Sequence, residues 1–170
     1  FPVGSVVDTT GWVLPACPSS GPDGYLDGDT IRYVWMSGAN NGIKVYLGSA
    51  STMDLALGEQ IRVHAGQPSN LQQNFPRIAG SGDTLGLVWE QNLLGERDIL
   101  FCWSTSGVGG LSTPEIVNTE VAGLQKTPDI AFADGAFHIV WNESGTNQVR
   151  YRKATVISTV SVAEAPVVDV

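Results

Sequence analysis

The sequence predicts an all-β chain built from three four-stranded antiparallel blades, and three observations carry that expectation. Pro22, Pro76 and Pro128 each precede a tryptophan, Trp35, Trp89 and Trp141, by 13 residues. The intervals between these tryptophans are 54 and 52 residues, and a period of about 50 belongs to sheet units stacked side by side, as in β-propellers. Helical periodicity is nearly absent, whereas short Val/Ile/Tyr/Trp runs alternate with Gly/Asn/Asp/Ser clusters, an all-β pattern. Finally, Leu85-Gly86-Leu87-Val88-Trp89 is apolar or small on both alternating faces. A strand with one wet face shows polar alternation, so these strands need cover on both sides, which blades stacked around an axis supply. The three tryptophans are accordingly read as packing between blades.

Each repeat resolves into four strands. The first follows the proline: Tyr25-Leu26, Arg77-Ile78-Ala79 and Asp129-Ile130-Ala131. Tight turns follow at Asp27-Gly28-Asp29, at 80–83 and at Ala133-Asp134-Gly135, where Gly and Asp tolerate positive φ. The second strand ends at the tryptophan. A longer hairpin then holds Asn40-Asn41-Gly42, Leu94-Gly95-Glu96 or 144–147. The third strand is Val45-Tyr46-Leu47, Ile99-Leu100-Phe101 or Val149-Arg150-Tyr151. The fourth is read at 60–63, 115–117 and 159–162. Residues 54–64 have some helical appearance, but Gly58 and the alternation of Ile61 and Val63 favour a strand. The expected division is 1–21 as strands finishing a preceding blade (Ser5-Val6-Val7 and 11–14), blades over 22–67, 76–118 and 128–162, and 163–170 as linker or tail.

The bulk composition narrows the function classes. A chain of 170 residues suffices for a sizeable core. Its net charge of −8 argues against nucleic acid or an anionic membrane as main partner, and no apolar run approaches a membrane span. Arg150, Arg152 and Lys153 alternate around Tyr151 and read as a solvated strand face. The chain opens on Phe1, which suggests a mature form or a piece of a longer polypeptide. Low charge content, 15%, suits a secreted, cell-surface or periplasmic protein. Cys17 and Cys102 show no metal-binding spacing and read as two buried thiols rather than a disulfide.

The pattern Pro-x-Ile-Ala…Gly-Asp…Val-Trp, then Ile-x-Phe-x-x-Ser-x-Ser-Gly and Pro-x-x-Val, resembles the repeats of sialidase-like propellers. It is clearest from Pro76 through Asp98, Ile99, Ser104 and Ser106-Gly107 to Pro114 and Val117. Gly11-Trp12…Cys17-Pro18…Gly21-Pro22 is similar to the mid-chain junction of bacterial sialidase-like proteins. The resemblance covers about residues 11–155, and the three blades are expected to form part of a six-bladed ring. Three blades leave two broad faces bare, so further blades are expected from the same polypeptide or from a second chain, two copies of three closing the ring. The departures concern chemistry. The Asp-box of such repeats, Ser-x-Asp-x-Gly-x-Thr-Trp, is degraded at 104–111 and at 50–53, which lack its Asp and Trp. The family grips its substrate carboxylate with three arginines and uses a Tyr nucleophile assisted by a Glu. Phe75-Pro76-Arg77-Ile78 shares letters with the family's Arg-Ile-Pro motif but not their order, so no catalytic residue is assigned.

Strand direction places the residues after each proline and after each tryptophan on one rim, which the resemblance makes the substrate face. The candidate ligand-binding rim is Asp23, Arg77, Glu90, Asp129, Asn142 and Glu143. It reads either as a polar-ligand pocket, for instance for a sugar, or as structural salt bridges with Arg77 between Asp23 and Asp129, the preferred reading. Glu90 and Glu143 as paired carboxylates would suit acid–base work on a glycoside. Asp23, Asp27 and Asp29 suggest calcium by composition but lack the calcium-loop spacing, so turn chemistry is preferred and no metal or cofactor is expected. His64 and His138 read as satisfied structural histidines. Asn142-Glu143-Ser144 fits a glycosylation acceptor. The leading expectation is a non-catalytic extracytoplasmic propeller module for carbohydrate or protein recognition. The alternatives are a fragment of a sialidase-like exo-glycosidase and a structural subunit of a larger assembly.

Overall fold

The computed structural model describes residues 4–12, 20–39, 42–119, 123–157 and 161–164, and among them every regular element is a strand. The first sheet holds β1 (Asp23–Asp27), β2 (Thr30–Ser37), β3 (Lys44–Ser51) and β4 (Leu57–Arg62). The second holds β5 (Leu71–Ser81), β6 (Thr84–Leu93), β7 (Glu96–Ser104) and β8 (Glu115–Ile116). The third holds β9 (Gln125–Ala133), β10 (Ala136–Glu143), β11 (Gln148–Ile157) and β12 (Ser161–Glu164). Each sheet is an antiparallel meander with its strands in chain order. Gly28, Gly82 and the pair Asp134-Gly135 take the positive φ that the three tight turns require.

The Pro–Trp spacing has a register explanation. In the second sheet Asn74 pairs with Glu90 and Arg77 with Val88, so Phe75-Pro76 bulges opposite the single residue Trp89. In the third, Lys126 pairs with Asn142 and Asp129 with Val140, so Thr127-Pro128 bulges opposite Trp141. A proline has no N–H to give a ladder, and a bulge is where a strand tolerates it. Phe75 and Thr127, the residues before these prolines, both lie at positive φ, 49° and 46°. The expected strand starts are therefore corrected: β5 and β9 begin at Leu71 and Gln125, ahead of the proline rather than after it.

The sheets pack face to face in chain order. Val34, Val45 and Leu47 of the first sheet form one core with Leu85, Leu87, Trp89 and Cys102 of the second. Val88, Ile99 and Phe101, on the opposite face of the second sheet, form another with Phe137, Ile139, Trp141 and Ala154 of the third. The middle sheet is thus buried on both faces, as its sequence required, and Trp89 has no exposed surface. Gly86 is what lets the second and third sheets approach. A Cβ there would sit 2.7 Å from Phe137 Cε1 and 2.9 Å from Phe101 Cε2. Trp35, packed with Tyr33, Tyr46 and Ala50, lies on the outer face of the first sheet, where Val7 covers part of it.

Other expectations are corrected. Leu94-Gly95 is a two-residue turn between Leu93 and Glu96, not a longer hairpin; both its residues have positive φ, 56° and 98°, the geometry of the tightest hairpins. Ser5-Val6-Val7 is not a strand; residues 4–12 run over the first sheet, held by Gln60 Nε2 donating to the Val7 carbonyl at 3.1 Å. Residues 13–14, part of the second expected N-terminal strand, lie outside the described residues, as does Cys17. Arg150 and Arg152 are not on a solvated face. Arg152 is 8% exposed and donates to the Val117 carbonyl across the interface, because their side of β11 faces the second sheet. The expected fourth strands hold with shifted bounds, β12 beginning at Ser161.

Candidate functional site

The six rim residues lie on β1, β5, β6, β9 and β10: Asp23, Arg77 and Asp129 directly follow the three prolines, and Glu90, Asn142 and Glu143 follow Trp89 and Trp141. The structure divides them into two kinds. Asp23, Arg77, Asp129 and Asn142 keep exposed surface, whereas Glu90 and Glu143 are each 3% exposed.

The outer set links successive sheets. Asp23 Oδ2 accepts from the Ile78 backbone N–H at 3.0 Å, joining the first sheet to the second. Arg77 Nε lies 4.0 Å from Asp129 Oδ1, joining the second to the third, and its Nη1 donates to the Pro76 carbonyl at 2.9 Å. The preferred salt-bridge reading therefore holds on one side: Arg77 meets Asp129, while Asp23 serves a backbone amide. With the Arg77 and Asp129 side chains 32% and 69% exposed, that pair adds little stability. Asn142 Nδ2 donates to Thr127 Oγ1 at 2.6 Å, so the side chain of the glycosylation motif is engaged with the neighbouring strand.

The inner carboxylates are each gripped by an arginine of the following strand. Arg97 Nη1 donates to Glu90 Oε1 at 2.7 Å, and the Thr127 amide approaches Glu90 Oε2 at 3.4 Å. Arg150 Nε donates to Glu143 Oε2 at 2.7 Å, with Thr146 Oγ1 at 2.9 Å and Gln125 Nε2 3.5 Å from Oε1. Burial pushes the Glu90 carboxyl above the ordinary carboxylate range although Arg97 pulls the other way. The hydrogen bond from Arg150 holds Glu143 below it.

These directions give opposite acid limbs. Glu143 contributes stability that is present above its ordinary carboxyl value and is lost as pH falls through its depressed folded value. The ionisation of Glu90 opposes folding near neutrality, and stability is regained as pH falls from its raised folded value to the ordinary carboxyl value. Glu143→Gln should therefore flatten the acid-side loss, and Glu90→Gln should remove the acid-side gain. Urea midpoints taken from about pH 3 to 7 read both; a Glu143→Gln chain that loses stability on acidification as steeply as the parent would refute the assignment.

Several functional side chains carried no sequence signal of their own. Gln73 and Gln125, both nearly without exposed surface, sit three residues before Pro76 and Pro128. Gln73 Oε1 accepts from the Val45 amide at 3.0 Å, and Gln125 Oε1 accepts from Trp141 Nε1 at 3.1 Å. Their equivalence was visible only through the repeat register. Lys44, with no exposed surface, donates to the carbonyls of Pro68, at 2.8 Å, and Leu71, and burial lowers its pKa.

The remaining candidates are structural in their contacts. His64 packs edge-on against Trp89, with ring centroids 6.4 Å apart, and its Nε2 lies 2.8 Å from Gln67 Nε2. His138 Nδ1 lies 2.7 Å from the Tyr151 hydroxyl. Asp27 faces Arg32 at 3.7 Å, and among the described residues no His/Cys/Asp/Glu group has metal-binding geometry. Cys102 is a buried free thiol whose pKa burial raises. The segment 104–111 is closed by hydroxyls: Ser104 Oγ and Ser106 Oγ donate to the Gly109 carbonyl at 2.8 and 2.9 Å, while Val108 enters the first core. Comparison with known proteins finds no family whose model matches the chain and no curated protein that matches it.

Proposed function

We propose that the chain is a segment of a sialidase-like β-propeller that serves, outside the cytoplasm, as a non-catalytic module recognising carbohydrate or protein. One observation carries the reading: at the rim, the carboxylates suited to acid–base chemistry are turned inward and neutralised by Arg97 and Arg150, while Arg77, Asp129 and Asn142 stay accessible. Such a strip of guanidinium, carboxylate and amide groups can hydrogen-bond hydroxyl-rich ligands, yet lacks an unengaged acid–base pair. The repeated stacking of Trp-bearing faces on preceding sheets supports the propeller geometry. The full-length gene product should bind immobilised glycans without turning over a fluorogenic sialoside, and Arg77→Ala should weaken that binding about tenfold. Sialoside turnover that Arg77→Ala abolishes would overturn this reading in favour of an exo-glycosidase whose catalytic groups lie partly in other blades.

A further inference from the structure

Among the described residues, each end of the three-sheet stack has a face without a neighbouring sheet. On the first sheet, Ile31 is 36% exposed and, with Tyr33, Ala50 and Leu57, lines a groove of about 610 Å³. On the third, Val140 is 38% and Val149 72% exposed, beside Tyr151 and His138.

The repeat register identifies what these faces are. Val140 pairs with Tyr151 as Val34 does with Leu47 and Val88 with Phe101. Asn142 pairs with Val149 as Met36 does with Val45 and Glu90 with Ile99. The face of the third sheet is therefore the one that, on the first and second sheets, lies buried under the sheet that follows. Counted from the tryptophans, Ile31, Tyr33 and Trp35 stand where Leu85, Leu87 and Trp89 stand. That is the face with which the second sheet covers the first. The two ends thus carry the register positions of a covered face, the socket, and of the face that covers it, the plug.

Polar groups match as well. Across the first interface Arg32 Nη2 meets Asp83 Oδ1 at 2.6 Å. The same positions on the bare faces are His138, three residues before its tryptophan, and Asp29, six before. Asp23 accepts from the Ile78 amide; the same positions are Asp129 and the Gly24 amide. Val7 packs beside Trp35 as Val63 and Val117 join the two inter-sheet cores. Tyr33, Trp35, Tyr46 and Ala50 are thus already buried within one chain, and what stays open on the plug is the groove beside Ile31 and Leu57.

We infer that the occupant is a second copy of this chain, the third sheet of each copy receiving the first sheet of the other. Such head-to-tail contacts form rings when the rotation closes, and two copies give six sheets, within the four to eight of closed rings. The inference rests on the propeller reading above and commits it to a source for the missing neighbours.

Light scattering on the 170-residue chain should give twice the mass of one chain. Val149→Arg should return it to one chain with unchanged circular dichroism, since Val149 contributes nothing to the cores. His138→Glu, placed against Asp29 of the second copy, should raise the dissociation constant about tenfold, and adding Asp29→Lys should restore it. Three outcomes overturn the inference: a monomer at every concentration, open assemblies larger than two, or burial of Val149 only when further repeats are fused in the same polypeptide. A monomer whose Trp89 region remains protected from hydrogen exchange would overturn the pairing and leave the propeller reading standing.

Discussion

Trp89→Ala should cost about 3–5 kcal/mol of unfolding free energy, the largest loss expected of any single truncation in the chain. Its side chain has no exposed surface and sits in the core shared by the first and second sheets, so its removal opens a cavity where two β layers meet. A typical domain has only about 5–15 kcal/mol in total, so much of the stability goes with one residue. Trp35→Ala should cost less, because its packing partners among the described residues come from its own sheet and from Val7, a segment that can settle into the space. Trp141 adds a distinct term. Its Nε1 donates to Gln125 Oε1 at 3.1 Å, and both groups are buried, so Trp141→Phe should cost about 1–3 kcal/mol for the stranded amide oxygen alone. Urea unfolding of the three variants orders them. A Trp35→Ala loss equal to that of Trp89→Ala would mean that the first sheet's outer face is as fully packed as the inner interfaces, contrary to the groove beside it.

The strands and their order were legible because periodicity reports burial. Leu85 to Trp89 could be apolar on both faces only if both were covered, and the Gly/Asp turns announced where each hairpin reversed. The Pro–Trp interval was legible as a repeat but not as a bulge. Its cause is a positive φ at Phe75 and Thr127, residue types whose identity gives no hint of that conformation. The rim was half legible. Strand direction ordered these residues along their strands, but β5, β6 and β9 run on past Arg77, Glu90 and Asp129, and whether a carboxylate after a tryptophan points outward or in depends on the partner that meets it. Arg97 and Arg150 lie seven residues downstream of Glu90 and Glu143 across hairpins, and no local pattern singled them out. Arg150 and Arg152 misled for the same reason. Alternating charge reads as a wet face until another sheet is laid over it, and the second sheet supplies a buried carbonyl, that of Val117, for Arg152 to satisfy.

Arg150→Met tests that inward architecture most severely, with an expected cost of about 3–5 kcal/mol near neutral pH. Glu143 is 3% exposed and the Arg150 side chain 20%, so the pair is shielded from water, unlike Arg77 and Asp129. Removing the guanidinium leaves the carboxylate with Thr146 Oγ1 and the longer contact to Gln125 Nε2, too few donors for a buried charge. The carboxyl then responds by taking a proton more readily. Its folded pKa, held low by Arg150 in the parent, moves upward, so the variant's deficit should shrink as pH falls and the neutral acid becomes the folded form. Glu143→Gln in the Arg150→Met background should recover part of the loss, because it removes the orphaned charge while keeping a polar side chain for Thr146. A double-mutant cycle read by urea unfolding at neutral pH and near pH 4.5, the ordinary carboxyl value, separates these contributions. A deficit below about 1 kcal/mol with no pH dependence would place Arg150 among solvent-screened surface pairs. Glu143 would then be restored as an available rim carboxylate, and the rim would again hold a group fit for acid–base work.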